Sequence, residues 1–221
     1  MIEDNIISKI ASGDLSDPRA RIVNAAIEEF ALRSLDGART RAIASKSGAN
    51  SASISYYFGG KRGLYETVIK QLSEFFDGYV APYYAEGVRL VKSRDAKGAK
   101  DLARRFLMDC IRNFSEVKIV PLACLILMRE DASPSEYFKC AYESLYERPV
   151  AFIARLLSTA SGGRLAPDMG IVFAHALWAD VRGYSSKSGS VMKLHSWRSL
   201  GERELAVIEN SLKKVLEKTL K

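Results

Sequence analysis

Apolar residues recur every three to four positions through most of this chain, and alternating Val/Ile/Thr runs are scarce. That pattern predicts an all-α protein, and its interruptions predict where helices stop. Asp17-Pro18 pairs a capping carboxylate with a proline at the first helical position, and Asp36-Gly37 supplies turn chemistry at the far end. Between them Ile22, Val23, Ala26, Ile27 and Phe30 form one apolar stripe. A short helix follows Arg39-Thr40, turns Ile43 and Ala44 inward and ends at Gly48; a third covers 51–57. Gly59-Gly60 breaks the chain before Lys61 opens a long helix with Leu64, Tyr65, Val68, Leu72, Phe75, Phe76 and Tyr79 inward.

Farther on, Gly87 and the charged stretch Lys92–Lys100 read as a connection between modules. Helices are expected near 100–115, 119–130, 134–160, 167–186 and 199–219. The third of these starts at a capping box, Ser133-Pro134 with Glu136, and Pro149 should kink or divide it. Residues 1–17 are acidic, lack strong periodicity and read as a flexible arm.

Charge sharpens the picture. The formal net charge is +7, and residues 18–62 hold Arg19, Arg21, Arg33, Arg39, Arg41, Lys46, Lys61 and Arg62 against Glu28, Glu29 and Asp36. Positive charge concentrated in one segment points to a polyanionic partner there. Cys110, Cys124 and Cys140 show no CxxC spacing, which argues against a zinc site or a disulfide framework. His175 and His195 stand in no HExxH or carboxylate constellation, so neither a metal nor a catalytic site is expected. The longest apolar run, Ile119 to Met128, is far short of the roughly 20 residues a bilayer span needs. A cytoplasmic, non-membrane protein is expected.

Residues 40–58 have the spacing of a helix-turn-helix. Two closely crossing helices need a small residue at the crossing, a bend that tolerates positive φ and an apolar residue dropped back from the second helix; Ala44, Gly48 and Ile54 meet these needs in order. Ile43 and Phe58 extend the same small core. The outward face of the third helix is left with Ser51, Ala52, Ser53, Ser55, Tyr56 and Tyr57. Small and hydroxyl-bearing side chains let the backbone approach a major groove and donate to phosphates.

Residues 18–65 resemble the DNA-binding domain of the TetR/AcrR family. The resemblance is carried by Ala25-Ala26-Ile27-Glu28-Glu29-Phe30, Gly37, Thr40-Arg41-Ala42-Ile43-Ala44, Gly48 and Ser55-Tyr56-Tyr57-Phe58, closed by Lys61 and Leu64-Tyr65. It implies that Thr40 and Arg41 approach phosphates at the front of the motif; Arg39 beside them is a further candidate DNA contact, with a solvated helix end as the alternative reading. It implies too that Ser51, Ser53 and Ser55 lie toward bases or flanking phosphates, while Tyr56, Tyr57 and Lys61 clamp the backbone. Residues 121–130, Ser133-Pro134, Tyr137-Phe138 and His195-Ser196-Trp197 are similar to the ligand domain of the CecR-like subgroup. The implied plan is an arm at 1–17, a three-helix DNA-binding domain at 18–65, and a helical ligand-binding and dimerisation domain at 66–221.

The functional expectation is a repressor that binds a palindromic operator as a homodimer and is released by a small-molecule effector. Dimerisation is expected through the helices near 167–186 and 199–219, with half-sites about 34–36 Å apart or a multiple of that. Cys110, Phe114, Cys124, Met128, Arg129, Glu130, Phe152, Phe173 and Trp178 are candidate effector contacts, though ordinary helix core is the commoner explanation of the apolar ones and an internal ion pair is the alternative for Arg129-Glu130. A small helical enzyme or ligand carrier, or an adaptor whose helix-turn-helix binds protein, are the alternatives. The missing phosphate-loop, nucleophile-elbow and metal motifs weigh against an enzyme.

Overall fold

The computed structural model describes residues 5–220, and every regular element among them is helical. Helices α1 (Ile6–Ala11), α2 (Pro18–Gly37), α3 (Thr40–Ser47) and α4 (Ser51–Phe58) precede the long α5 (Lys61–Ser93). Then come α6 (Ala96–Glu116), α7 (Val120–Ala132) and α8 (Phe138–Tyr142), a π-helical turn at Glu143–Glu147, and α9 (Arg148–Ala160). The chain finishes with α10 (Pro167–Ser185), α11 (Gly189–Leu194) and α12 (Glu202–Thr219). Two compact units result, and their boundaries cross the sequence: the first joins the chain up to Tyr79 with Lys118–Leu145, the second joins Val80–Val117 with Tyr146–Lys221.

In the first unit, α2 starts as its sequence dictates, with Asp17 Oδ1 accepting the Arg19 amide at 2.8 Å and Pro18 in the first turn. The side-chain hydrogen bond from Arg19 holds the Asp17 carboxyl down at about 2. Ile22, Val23, Ile27 and Phe30 are fully buried, as the stripe requires. The helix is interrupted at Ser34, whose backbone (φ 60, ψ 176) lies in a region that side chains other than glycine's disfavour.

The expected arm is ordered where the structure describes it. Asn5 caps α1 by accepting the Ser8 amide, and Ile6, Ile7 and Ile10 are buried. Asn5 Nδ2 donates to the Gln71 carbonyl at 3.1 Å, and the Ile6 amide donates to Gln71 Oε1 at 2.7 Å. Three isoleucines within five positions were the overlooked signal; residues 1–4 of the expected arm lie outside the described part.

Other helix boundaries also differ from expectation. The charged stretch 92–100 is largely helical, because lysine, arginine and alanine are good helix formers. Only Arg94 (φ 54) and the cap Asp95, which accepts the Gly98 amide at 2.8 Å, separate α5 from α6. Ser133 ends α7 instead of starting the next helix, since Ser135 turns its hydroxyl to Glu130 and α8 begins only at Phe138. Pro149 does divide that region: α9 opens with it in the first turn, directly after the π-helical turn. Helix α11, capped by Ser188, had no expected counterpart.

The second unit packs α6, α9 and α10 around Leu102, Phe106, Ile111, Ile153, Leu156, Ala174 and Trp178. Phe106 stacks on Trp178 (6.0 Å, 11°) and meets Phe152 edge-on (5.2 Å, 85°). A Cβ at Gly87 would overlap the Phe152 ring, so glycine there admits the aromatic group and connects nothing flexible. Helix α12 lays Leu205, Ile208, Leu212 and Leu216 inward, with Arg104–Glu209 and Arg112–Glu202 ion pairs alongside. His195 stacks on Trp197 at 4.3 Å in the segment before it.

Candidate nucleic-acid interface

The local geometry of α3 and α4 follows from three residues. Ala44 is 4% exposed at the crossing, Gly48 takes a left-handed backbone (φ 66) and Ile54 is fully buried. Ala49 donates its amide to the Ala44 carbonyl at 3.0 Å, closing the bend. Phe58, expected in the same core, is only half-buried, and its ring lies 6.2 Å from that of Tyr57. A Cβ at Gly63 would overlap the Phe58 carbonyl oxygen, so the α4–α5 junction requires glycine there.

The outward surface of α4 is open. Ser51, Ala52 and Ser55 are exposed, Tyr56 is 83% exposed and Tyr57 44%. The two tyrosine rings meet edge-on at 5.0 Å, each limiting the other's rotation. Ser53 is different from its neighbours. Asn50, the α4 cap, accepts both the Ser53 amide (2.8 Å) and its hydroxyl (2.9 Å), so that proton is committed within the protein. Asn50 was not among the expected site residues, though an asparagine directly before a helix start is a readable capping signal.

The eight cations of this segment separate into two groups. Arg19 is held by Asp17, Arg21 by the Leu15 and Ser16 carbonyls, Arg33 by Glu29 and Lys46 by Glu28. Lys61 donates to the Asp36 and Ala38 carbonyls. Arg39, Arg41 and Arg62 are exposed, and their guanidinium groups make no hydrogen bond or ion pair among the described residues. Thr40 is half-buried at the start of α3. Arg62 is among the cations counted from the sequence but not among the expected DNA contacts, where the resemblance implied Lys61 instead.

Residues 22–68 match the model of the bacterial regulatory proteins of the tetR family. The chain thus carries a tetR-type domain in its N-terminal part. It is 24% identical over 196 residues to the HTH-type transcriptional dual regulator CecR of Shigella flexneri, covering 88% of this chain and 87% of that one. It is also 41% identical over 59 residues to YttP of Bacillus subtilis, classed among HTH-type transcriptional regulators, spanning 27% of each. Among solved structures, a mutant of the HlyIIR protein aligns with a TM-score of 0.55 at 16% identity, covering 90% of this chain and 93% of that one. A protein assigned to the TetR family from Mesorhizobium loti aligns with a TM-score of 0.57 at 21% identity, covering 92% and 95%. These structural likenesses establish the all-helical fold with an N-terminal helix-turn-helix, and both sequence relatives are named as transcriptional regulators.

The expected effector contacts do not gather in one unit. Cys110, Phe114, Phe152, Phe173 and Trp178 belong to the second, where burial pushes the Cys110 thiol up. Cys124, Met128, Arg129 and Glu130 belong to the first. Met128 is 57% exposed, and both charged residues have partners inside their unit: Arg129 Nη1 donates to the Phe30 carbonyl at 2.7 Å, and Glu130 accepts from Tyr65 and Ser135. A cavity of about 400 Å³ in the second unit is lined instead by Lys100, Ala160, Lys214, Glu217, Lys218 and Leu220. Among the described residues, no group of three or more His, Cys, Asp or Glu side chains could hold a metal, and no helix is long and apolar enough to cross a membrane.

Proposed function

We propose that this chain represses transcription by gripping a palindromic operator as a homodimer and letting go when a small molecule binds. One observation carries the DNA-binding part. Arg39, Arg41, Tyr56 and Tyr57 face outward around α3 and α4, and the two guanidiniums make no hydrogen bond or ion pair, while nearby cations are tied to carboxylates or carbonyls. Unpaired guanidiniums beside phenol hydroxyls suit a phosphate backbone. In this reading Thr40, Ser51 and Ser55 complete the contacts, Ser53 offers its lone pairs, and Lys61 has one N–H left to give.

Homodimerisation is proposed through α10 and α12. Met169, Ile171 and Val172 on the first and Val207 and Val215 on the second leave apolar surface exposed at helical spacing. The effector is proposed to be apolar and to enter among Phe152, Phe173 and Trp178. It can weaken DNA binding only by favouring a state that binds the operator less well, typically by about 1–3 kcal/mol of coupling.

Selecting bound duplexes from random DNA tests the proposal. A recovered palindrome, bound less tightly as salt rises, is the expected result. Recovery of no sequence above background, with binding insensitive to salt, would leave the protein-binding adaptor as the better reading.

A further inference from the structure

We infer that Glu130 is a positioning residue for operator binding, acting from α7 on the bundle that carries α4. The inference rests on the operator-binding reading and extends it to a residue outside the helix-turn-helix, more than seventy positions beyond α4.

Glu130 is 5% exposed. A buried carboxylate is tolerated only where donors replace its water, and Glu130 has three. Its Oε1 accepts the Tyr65 hydroxyl at 2.6 Å; its Oε2 accepts the Ser135 hydroxyl at 2.6 Å and the Ser135 amide at 3.2 Å. Tyr65 is itself 4% exposed, with its ring edge-on to Phe30 of α2 (4.9 Å, 86°) and 5.5 Å from the ring of Tyr137. Burial, reinforced by the Glu130 hydrogen bond, raises the Tyr65 pKa far above the ordinary phenol value, so the phenol stays the donor at any physiological pH. The neighbouring Arg129 donates to the Phe30 carbonyl.

These bonds triangulate the unit. Helix α7 is tied to α5 through Glu130 and Tyr65, and to α2 through Arg129 and Phe30. One turn before Tyr65, Lys61 ties α5 back to the Asp36 and Ala38 carbonyls, where the chain passes from α2 into α3. The helices that frame α3 and α4 are thus fixed by polar bonds of definite direction, whereas apolar packing alone would permit sliding. Sequence-specific binding needs the recognition surface in register with base edges; non-specific binding needs only charge near phosphates. A brace of this kind should matter for the first and not for the second.

The test uses the full chain and two duplexes of equal length, one bearing the operator the parent selects from random DNA and one scrambled, at a single salt concentration below the melting range. Tyr65→Phe removes only the hydroxyl, and Glu130→Gln removes the charge at constant size. Each is expected to weaken operator binding about tenfold while scrambled-duplex binding changes less than about twofold, and the double variant to be little worse than either. Folded variants that bind the operator within about twofold of the parent, with only a lowered melting temperature, would overturn the inference and reduce the brace to a stabilising contact. Should either variant fail to fold, Ser135→Ala removes the other arm and is judged by the same two affinities. A parent that selects no sequence sinks the operator reading and this inference together, a result distinct from variants that retain full affinity.

Discussion

The ammonium group of Lys61 donates to the carbonyl oxygen of Ala38 at 3.2 Å, across the start of α5 to the connection between α2 and α3. Its family-implied role is to clamp DNA, yet two of its three protons serve the fold. Lys61→Ala should therefore lower both DNA affinity and stability, the latter by about 1–2 kcal/mol for two lost bonds from a charged donor. Tyr57→Ala, at a position 44% exposed, should weaken DNA binding with little change in melting temperature. Calorimetry beside binding isotherms separates the two; equal melting losses in both variants would contradict the assignment.

Arg39 and Arg41 should each contribute about one counterion to the salt dependence of binding, so single alanine variants should reduce the slope of log K against log salt by about one. Lys46→Ala should leave it unchanged, because Lys46 is paired with Glu28 at 3.3 Å. An altered slope for Lys46→Ala would mean that DNA breaks that pair.

At Ser34 a non-glycine residue occupies a backbone region (φ 60, ψ 176) that costs about 1–3 kcal/mol. Ser34→Gly should relieve the part of this that exceeds glycine's own entropic cost, raising stability by about 1 kcal/mol. Chemical denaturation measures it; a destabilised glycine variant would show that the serine side chain holds the interruption in place.

Asp17 predicts a pH effect of definite sign. Its carboxyl is held at about 2 in the fold, against an ordinary 3.8, chiefly by the side-chain hydrogen bond from Arg19. A lowered folded-state value stabilises the protein above pH 3.8, and the benefit disappears as pH falls toward 2. Asp17→Asn keeps a competent cap without the titration. The parent's melting temperature should exceed the variant's at pH 6, and the gap should close below pH 3; a gap independent of pH would refute the assignment.

The dimer proposal calls for a surface change instead of a truncation. Removing residues 199–221 would strip Leu205, Ile208, Leu212 and Leu216 from the core of their unit. Val207→Glu together with Val172→Glu alters residues 56% and 61% exposed and leaves that core intact. Sedimentation should show a monomer with poor operator affinity. An undisturbed dimer would direct the interface elsewhere.

Much of the fold could be read from spacing and caps. Asp17-Pro18, Gly48, Gly59-Gly60 and the Ala44–Ile54 interval mark the first four helices after residue 17 because each obeys a local steric rule. What escaped depended on distant partners. Ser133-Pro134 looks like a helix start, but Glu130 captures Ser135 and the chain turns instead. Arg129 and Glu130 invite a ligand-site reading because charge beside an apolar run needs a partner, and no local rule reveals that Phe30 and Tyr65 supply it. Likewise a count of cations cannot tell Arg41 from Lys46; only the fold shows which of them already has a carboxylate.

The first unit draws on two stretches of chain separated by 38 residues that belong to the second. A ribosome that has released only the helix-turn-helix has therefore not released its support: Tyr65 waits for a carboxylate translated 65 codons later. Until that segment emerges, the aromatic contact of Phe30 and Tyr65 lacks its polar cover, and a nascent chain halted near residue 117 should be a poor competitor for promoter sites. On the operator-binding proposal, the recognition surface would thus be braced only after roughly two-thirds of the polypeptide has been made.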